Sequence, residues 1–232
     1  MQYIQKNLNI FRAKEEENFL NIFIATHKDF QNYRYNPVYK IIANDSSQLK
    51  NKYNLEVLYC DPDNEIKDKQ NAYSEMSKIY YIYKLYKSGK MSSKYIGFNH
   101  YRRYFPFLDN IPDLDEIFQN YDIIVGHMFD MNGKSLLAYY CSYHICKNFD
   151  EMINVIKDIK PEYYKTAIEV AKNNIIYGTN LFIMKKKILL IIANLCLMYY
   201  LNLIEDIILK LRMILISMLR TILEDLVNTK QE

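Results

Sequence analysis

Between residues 22 and 184, short apolar runs that end in polar residues alternate with stretches whose apolar positions recur with a helical period. Phe23–Thr26, Val38–Ala43, Leu55–Tyr59, Lys94–Asn99, Asp122–Val125 and Asn180–Met184 have the length and side-chain types of buried strands. Ala72–Lys87 carries Met76, Ile79, Tyr80, Tyr83 and Tyr86 on one helical face, and Lys134–His144, Asp150–Lys160 and Glu162–Lys172 follow, the last two divided at Pro161. Alternation of this kind predicts an α/β domain with a mixed, mostly parallel sheet flanked by helices. Ligands of such sheets collect beyond the carboxyl ends of the strands. Two polar strings stand there: Thr26-His27-Lys28 after the first strand and His100-Tyr101-Arg102-Arg103 after a central one.

Composition narrows the function classes. Hydrophobic residues at 50% of 232 support one buried core, and 30 basic against 27 acidic residues leave a net charge of +3, too little to imply a nucleic-acid partner. No glycine-rich dinucleotide or P-loop string occurs. The cysteines lack paired zinc spacing; Cys141 and Cys146 flank His144 without a fourth ligand, so no metal site is assigned. The first residues lack a secretory apolar region, which makes a reducing, cytoplasmic setting the default.

Five segments then resemble a known family: Ile22-Phe-Ile-Ala-Thr-His-Lys28; Asp63-Asn64 with Lys69-Gln-Asn-Ala-Tyr-Ser-Glu75; Tyr95-Ile-Gly-Phe-Asn-His-Tyr-Arg-Arg-Tyr-Phe105; Tyr121-Asp-Ile-Ile-Val125; and Asn180-Leu-Phe-Ile-Met-Lys-Lys186. In order and content they are similar to the domain-of-unknown-function 4422 family of bacterial capsule and exopolysaccharide clusters. The resemblance implies a GT-A-like fold and a glycosyltransferase using a nucleotide-sugar donor, with a glycan or lipid-linked acceptor. The His-Tyr-Arg-Arg string is its most specific piece. Asn99 stands where the family usually has Cys, and Gly126 where it usually has Pro.

Such an enzyme must hold a diphosphate, neutralise it as it leaves and often deprotonate a hydroxyl. Arg102 and Arg103 present donor forks that match phosphate oxygens; on an extended segment one would face the site and the other would anchor the loop. Lys28 adds a point charge, Thr26 a hydroxyl, and His27 stands between them. His100 is either a phosphate donor and acceptor-polarising group or a structural histidine. Glu75, near the start of a helix, is either a base or a first-turn acid that satisfies the helix dipole. Asn71 and Tyr73 share that helix start. Asp61-Pro62-Asp63 spells a metal-diphosphate triplet but follows the wrong strand, so Asp63 and Asn64 enter by matching the family, Asp63 as an alternative base. His144 matches a family position, and Asn180 is placed to bond sugar hydroxyls. A Mn²⁺ or Mg²⁺ requirement stays open.

This organisation assigns residues 1–20 to an N-terminal arm, 21–187 to the transferase-like domain and 188–232 to an apolar helical tail. The 17 residues Ile188–Ile204 are at the lower limit of a membrane span and carry two asparagines, so a peripheral helix at the inner membrane face is an alternative. A further alternative is that residues from about 188 onward are out of frame after the Lys185-Lys186-Lys187 run. Displacing the frame by one base permits an aromatic helix and an acidic-basic turn of the family's character, whereas the tail as it stands would leave a truncated, inactive member. The nucleotide sequence across the three lysines checks this: a second open frame there is the expected outcome, and an uninterrupted gene with no alternative frame would overturn it.

Overall fold

The computed structural model describes residues 19–60, 74–107, 109–177 and 179–202. Its central strand β1 (Leu20–Ala25) pairs in parallel with β2 (Tyr39–Ala43) on one side and β4 (Tyr95–His100) on the other, and β3 (Val57–Tyr59) extends the sheet beyond β2. Past β4 the sheet continues through β8 (Phe182–Lys185), which is antiparallel, to β5 (Ile123–Val125), giving the order β3-β2-β1-β4-β8-β5. A short antiparallel pair, β6 (Phe129–Asp130) and β7 (Ile175–Ile176), lies apart. The helices are α1 (Met76–Lys87), α2 (Leu114–Asn120), α3 (Leu136–Tyr143), α4 (Cys146–Ile159), α5 (Tyr164–Lys172) and α6 (Lys186–Asn202). This is the mixed, mostly parallel α/β architecture that the alternation predicts.

Successive residues of the inner strands serve opposite faces, and both faces are covered. Phe23, Ala25, Ile96, Phe98 and Met184 pack into the core shared with α1, α3, α4, α5 and α6. Ile22, Ile24, Tyr39, Ile41, Tyr95 and Ile183 join the opposite core, which α2 and the segment after β4 close with Leu114, Phe118, Tyr101 and Phe105. That double burial is why these strands read as continuous apolar runs. At the crossing of β1, β4 and β8 the space is minimal: a Cβ on Gly97 would stand 2.8 Å from Ile22 Cγ1 and 3.2 Å from Ile183 Cγ1.

Several elements differ from the sequence expectation, each for a local reason. β1 starts at Leu20 rather than Phe23 because Asn21, polar but 2% exposed, is accommodated by donating from Nδ2 to Tyr86 Oη at 2.9 Å. Tyr86 Oη also lies 2.7 Å from Ser93 Oγ, which donates to the Tyr95 carbonyl at 2.7 Å. Tyr83 and Tyr86 of α1 are core residues, in keeping with amphipathic packing. Helix α2 has a readable start, since the Asp113 side chain accepts from Glu116 N at 3.1 Å in an Asp-x-x-Glu capping pattern. Cys141 and Cys146 are disulfide-bonded across the α3–α4 step, a pairing the reducing default did not anticipate. In α6, Ile188, Leu189, Ile192, Ala193 and Leu195 are buried along one side, so the start of the apolar tail packs on the sheet domain. Among the described residues no helix is long and apolar enough to cross a membrane.

Gly97→Ala is expected to destabilise the domain by about 1–3 kcal/mol through overpacking, read as a lower urea midpoint. An unchanged midpoint would show that Ile22 and Ile183 yield without cost.

Candidate functional site

The four parallel strands end at one rim of the sheet, and the antiparallel strand β8 begins there. Register puts Ala25 opposite His100, so the two polar strings continue side by side from β1 and β4. Tyr101 N donates to the Ala25 carbonyl at 3.0 Å and extends the pairing by one residue. Because β8 is reversed, Asn180, two residues before its start, arrives at the same rim. The N-terminus of α1 delivers Glu75.

Glu75 is the meeting point. His100 Nε2 lies 3.5 Å from its Oε1, with both side chains largely buried at 17% and 14% exposure. Asn180 donates from Nδ2 to its other oxygen, Oε2. A carboxylate only accepts, so this contact orients the amide and leaves Asn180 Oδ1 as the free acceptor. That oxygen and Thr179 Oγ1 are buried without a hydrogen-bond partner.

Arg102 N donates to His100 Nδ1 at 3.1 Å, so the proton of the neutral ring sits on Nε2, facing Glu75. Burial pushes the His100 pKa down to about 4; Glu75 opposes the shift, while Arg102, Arg103 and His27 add to it. Protonating Nδ1 would also put it against the Arg102 N–H. His27 is lowered as well, chiefly by burial, then by the charges of Lys28, Lys78 and Arg102, with Glu75 pulling the other way. Among the described residues, more cations than carboxylates thus act on each imidazole.

The arginines do not divide as strand alternation predicts. Residues 101–103 form a turn closed by Arg103 N donating to the His100 carbonyl at 2.9 Å, and both arginine side chains are exposed. A turn does not send neighbours to opposite faces, and neither arginine buries its side chain to anchor the loop. Tyr101 does so instead: it is 7% exposed, and its ring meets His27 edge-on at 5.4 Å and Phe30 at 5.8 Å. Lys28 Nζ and Arg102 Cζ stand 5.8 Å and 5.3 Å from the same ring.

Of the other residues singled out in the sequence, Thr26 has its hydroxyl engaged within the loop, donating to the Lys28 carbonyl at 2.6 Å and accepting from Lys28 N at 3.2 Å. His144 caps α3, exposed and tilted against the Tyr140 ring at 4.8 Å, and no described hydrogen bond or ion pair joins it to Glu75 or the basic residues. Asp63, Asn64, Asn71 and Tyr73 lie outside the described residues. Two residues escape sequence reasoning. Tyr101 reads as one more aromatic between charges. Lys78, 2% exposed, donates to Asn44 Oδ1 at 3.0 Å beyond β2; its signal is a position four before Ile82 on the buried face of α1. Among the described residues no cluster of three His, Cys, Asp or Glu side chains is suited to a metal ion.

The family model described as a domain of unknown function (DUF4422) matches residues 21–200. The chain belongs to this DUF4422 family. No curated protein matches it. Among solved structures, the chain is similar to the apo structure of the bifunctional glycosyltransferase WbbM, with a TM-score of 0.70 and 17% identity over 91% of the chain. The match spans 43% of the WbbM chain, so this protein corresponds to less than half of that one. At that identity the likeness shows the fold, and a DUF4422 chain with the fold of a glycosyltransferase accords with the resemblance of the five sequence segments.

The His100 geometry has a pH consequence. Its folded pKa lies below the ordinary histidine value of about 6.5, so its contribution to stability is complete above that pH and is lost as pH falls toward about 4. Unfolding free energy is expected to decline over that window, and His100→Gln is expected to flatten the decline. Identical pH profiles for the two proteins would remove His100 as its cause.

Proposed function

We propose that the chain is a glycosyltransferase domain that moves a sugar from a nucleotide-sugar donor to a glycan or lipid-linked acceptor, in capsular or other surface-polysaccharide synthesis on the cytoplasmic side of the membrane. The observation that carries this reading is the juxtaposition of Lys28, Arg102 and Arg103 with Glu75 at the exits of two adjacent parallel strands. In the proposed reaction an acceptor hydroxyl oxygen forms the new bond to the anomeric carbon. The bond from that carbon to the diphosphate breaks, and its electron pair leaves with the diphosphate. Glu75 takes the hydroxyl proton, as an inverting transfer requires, with Asp63 the alternative base. The two guanidiniums and the Lys28 ammonium stabilise the charge that develops on the leaving group. His100 and Asn180 hold the Glu75 carboxylate from two sides, and Asn180 Oδ1 accepts from a sugar hydroxyl.

A second reading comes from the tail: the chain is a catalytically inactive member whose sequence from about residue 188 is out of frame. The near-unbroken apolar run after Lys187 favours it, and a frame-restored chain tests it directly.

Calorimetric titration with uridine diphosphate and a donor-hydrolysis assay over a panel of nucleotide sugars, with Mn²⁺, Mg²⁺ or EDTA, test the leading reading. Arg102→Gln and Arg103→Gln are each expected to weaken nucleotide binding about tenfold and to lessen its salt dependence. Glu75→Gln is expected to cut turnover by about 10²–10⁴ while leaving nucleotide affinity within a few-fold. Activity in the frame-restored chain alone would establish the second reading; no nucleotide binding by either chain would end the first.

A further inference from the structure

Arg34 lies outside the site, in the segment linking β1 to β2, yet it is 3% exposed. A charge removed from water needs compensation, and the described hydrogen bonds supply little. Nη1 donates to the Tyr33 carbonyl at a long 3.4 Å, Nε is buried without a partner, and no described carboxylate forms an ion pair with it. Aromatic rings do the holding. The guanidinium carbon lies 4.1 Å from the centre of the Tyr104 ring and 5.8 Å from that of Tyr39. Its charge also draws the Tyr104 and Tyr39 phenols against the upward push of their burial.

Tyr104 is covalently next to Arg103, the last residue of the basic turn, and the Arg34 segment begins with His27 and Lys28. The two segments that carry the cations therefore touch twice. Near the rim, Tyr101 receives His27 and Phe30. Farther along, Tyr104 receives Arg34. The Arg34 backbone is fixed in turn: its carbonyl accepts from Asn32 Nδ2 at 2.9 Å and Asn54 Nδ2 at 3.3 Å, and its N–H donates to Asn32 Oδ1 at 3.1 Å. The opposite side of the turn rests on Asn99 Nδ2, which donates to the Arg103 carbonyl at 3.2 Å.

We infer that Arg34 is a positioning residue that acts through the Tyr104 ring to hold the Arg102–Arg103 turn in register with the Lys28 segment for binding the diphosphate. The diphosphate part rests on the transferase reading; the positioning part does not. Cation–ring contact at a buried site predicts a loss of about tenfold in whatever affinity depends on the turn.

Two measurements on the full chain test it separately. Hydrogen exchange reads the turn directly. In Arg34→Met and in Tyr104→Leu, the Arg102 and Arg103 amides are expected to lose about tenfold protection while the amides of Ile96 and Phe98 within β4 keep theirs. Tyr104→Phe, which keeps the ring, is expected to retain wild-type protection. Titration with uridine diphosphate should show the same order, with the Arg34→Met/Tyr104→Leu double variant no weaker than either single one. Equal protection in all variants, or loss spread through β4, overturns the positioning role, as does additive weakening in the double variant. If the wild type and Arg102→Gln both fail to bind the nucleotide while the exchange pattern appears, the transferase reading falls and the positioning role stands.

Discussion

The parallel pairing of β1 with β4 is the constraint on which the candidate site depends. Six consecutive residue pairs, from Leu20 with Tyr95 to Ala25 with His100, end both strands at the same level. Each strand leaves the sheet as a string of polar residues, so equal endings turn two distant stretches of chain into one chemical surface. A slip of one residue would send every strand side chain to the opposite face and His100 away from Glu75. Gly97 marks how closely that register is packed, because neighbouring strands leave no space above its Cα.

Electrostatics at the rim follow from that meeting. Burial lowers the pKa of both histidines, reinforced by Lys28, Lys78 and Arg102 at His27 and by Arg102 and Arg103 at His100, while Glu75 opposes the shift at each. The hydrogen bond from Arg102 N leaves the Nε2 proton of His100 facing the carboxylate. Among the described residues the cations acting on the two histidines outnumber the carboxylates, which suits an anion, and the buried, unpartnered oxygen of Asn180 suits a hydroxyl donor. Both features are what the proposed sugar-nucleotide donor would call for.

Much of the architecture was legible because strands covered on both faces must be apolar throughout, and each such run stands out between polar turns. The exits of β1 and β4 were legible for the same reason, since the abrupt change from Phe23-Ile-Ala25 to Thr26-His-Lys28 marks where a strand reaches the rim. What escaped reading depended on contacts between distant residues. Asn21 looks like a strand breaker until Tyr86 receives its amide, and the small β6–β7 pair has two residues on each side, too few to show a period. The arginine pair was misread because alternation belongs to extended chain, whereas the backbone at Tyr101–Arg103 turns. Tyr101 and Lys78 were overlooked because an aromatic among charges and a lysine on a helix ordinarily face water.

The bond from Asn21 to Tyr86 has a further mechanical meaning. Tyr86 lies eleven positions beyond Glu75, so about 16 Å of helix separates the tethered phenol from the carboxylate. Near the start of the same helix, Lys78 donates to Asn44 at 3.0 Å, so the rod is fastened to the sheet toward both extremities. Two buried polar clasps, one from Asn21 to Tyr86 and one from Lys78 to Asn44, thus fix the lengthwise setting of the helix whose first turn presents Glu75.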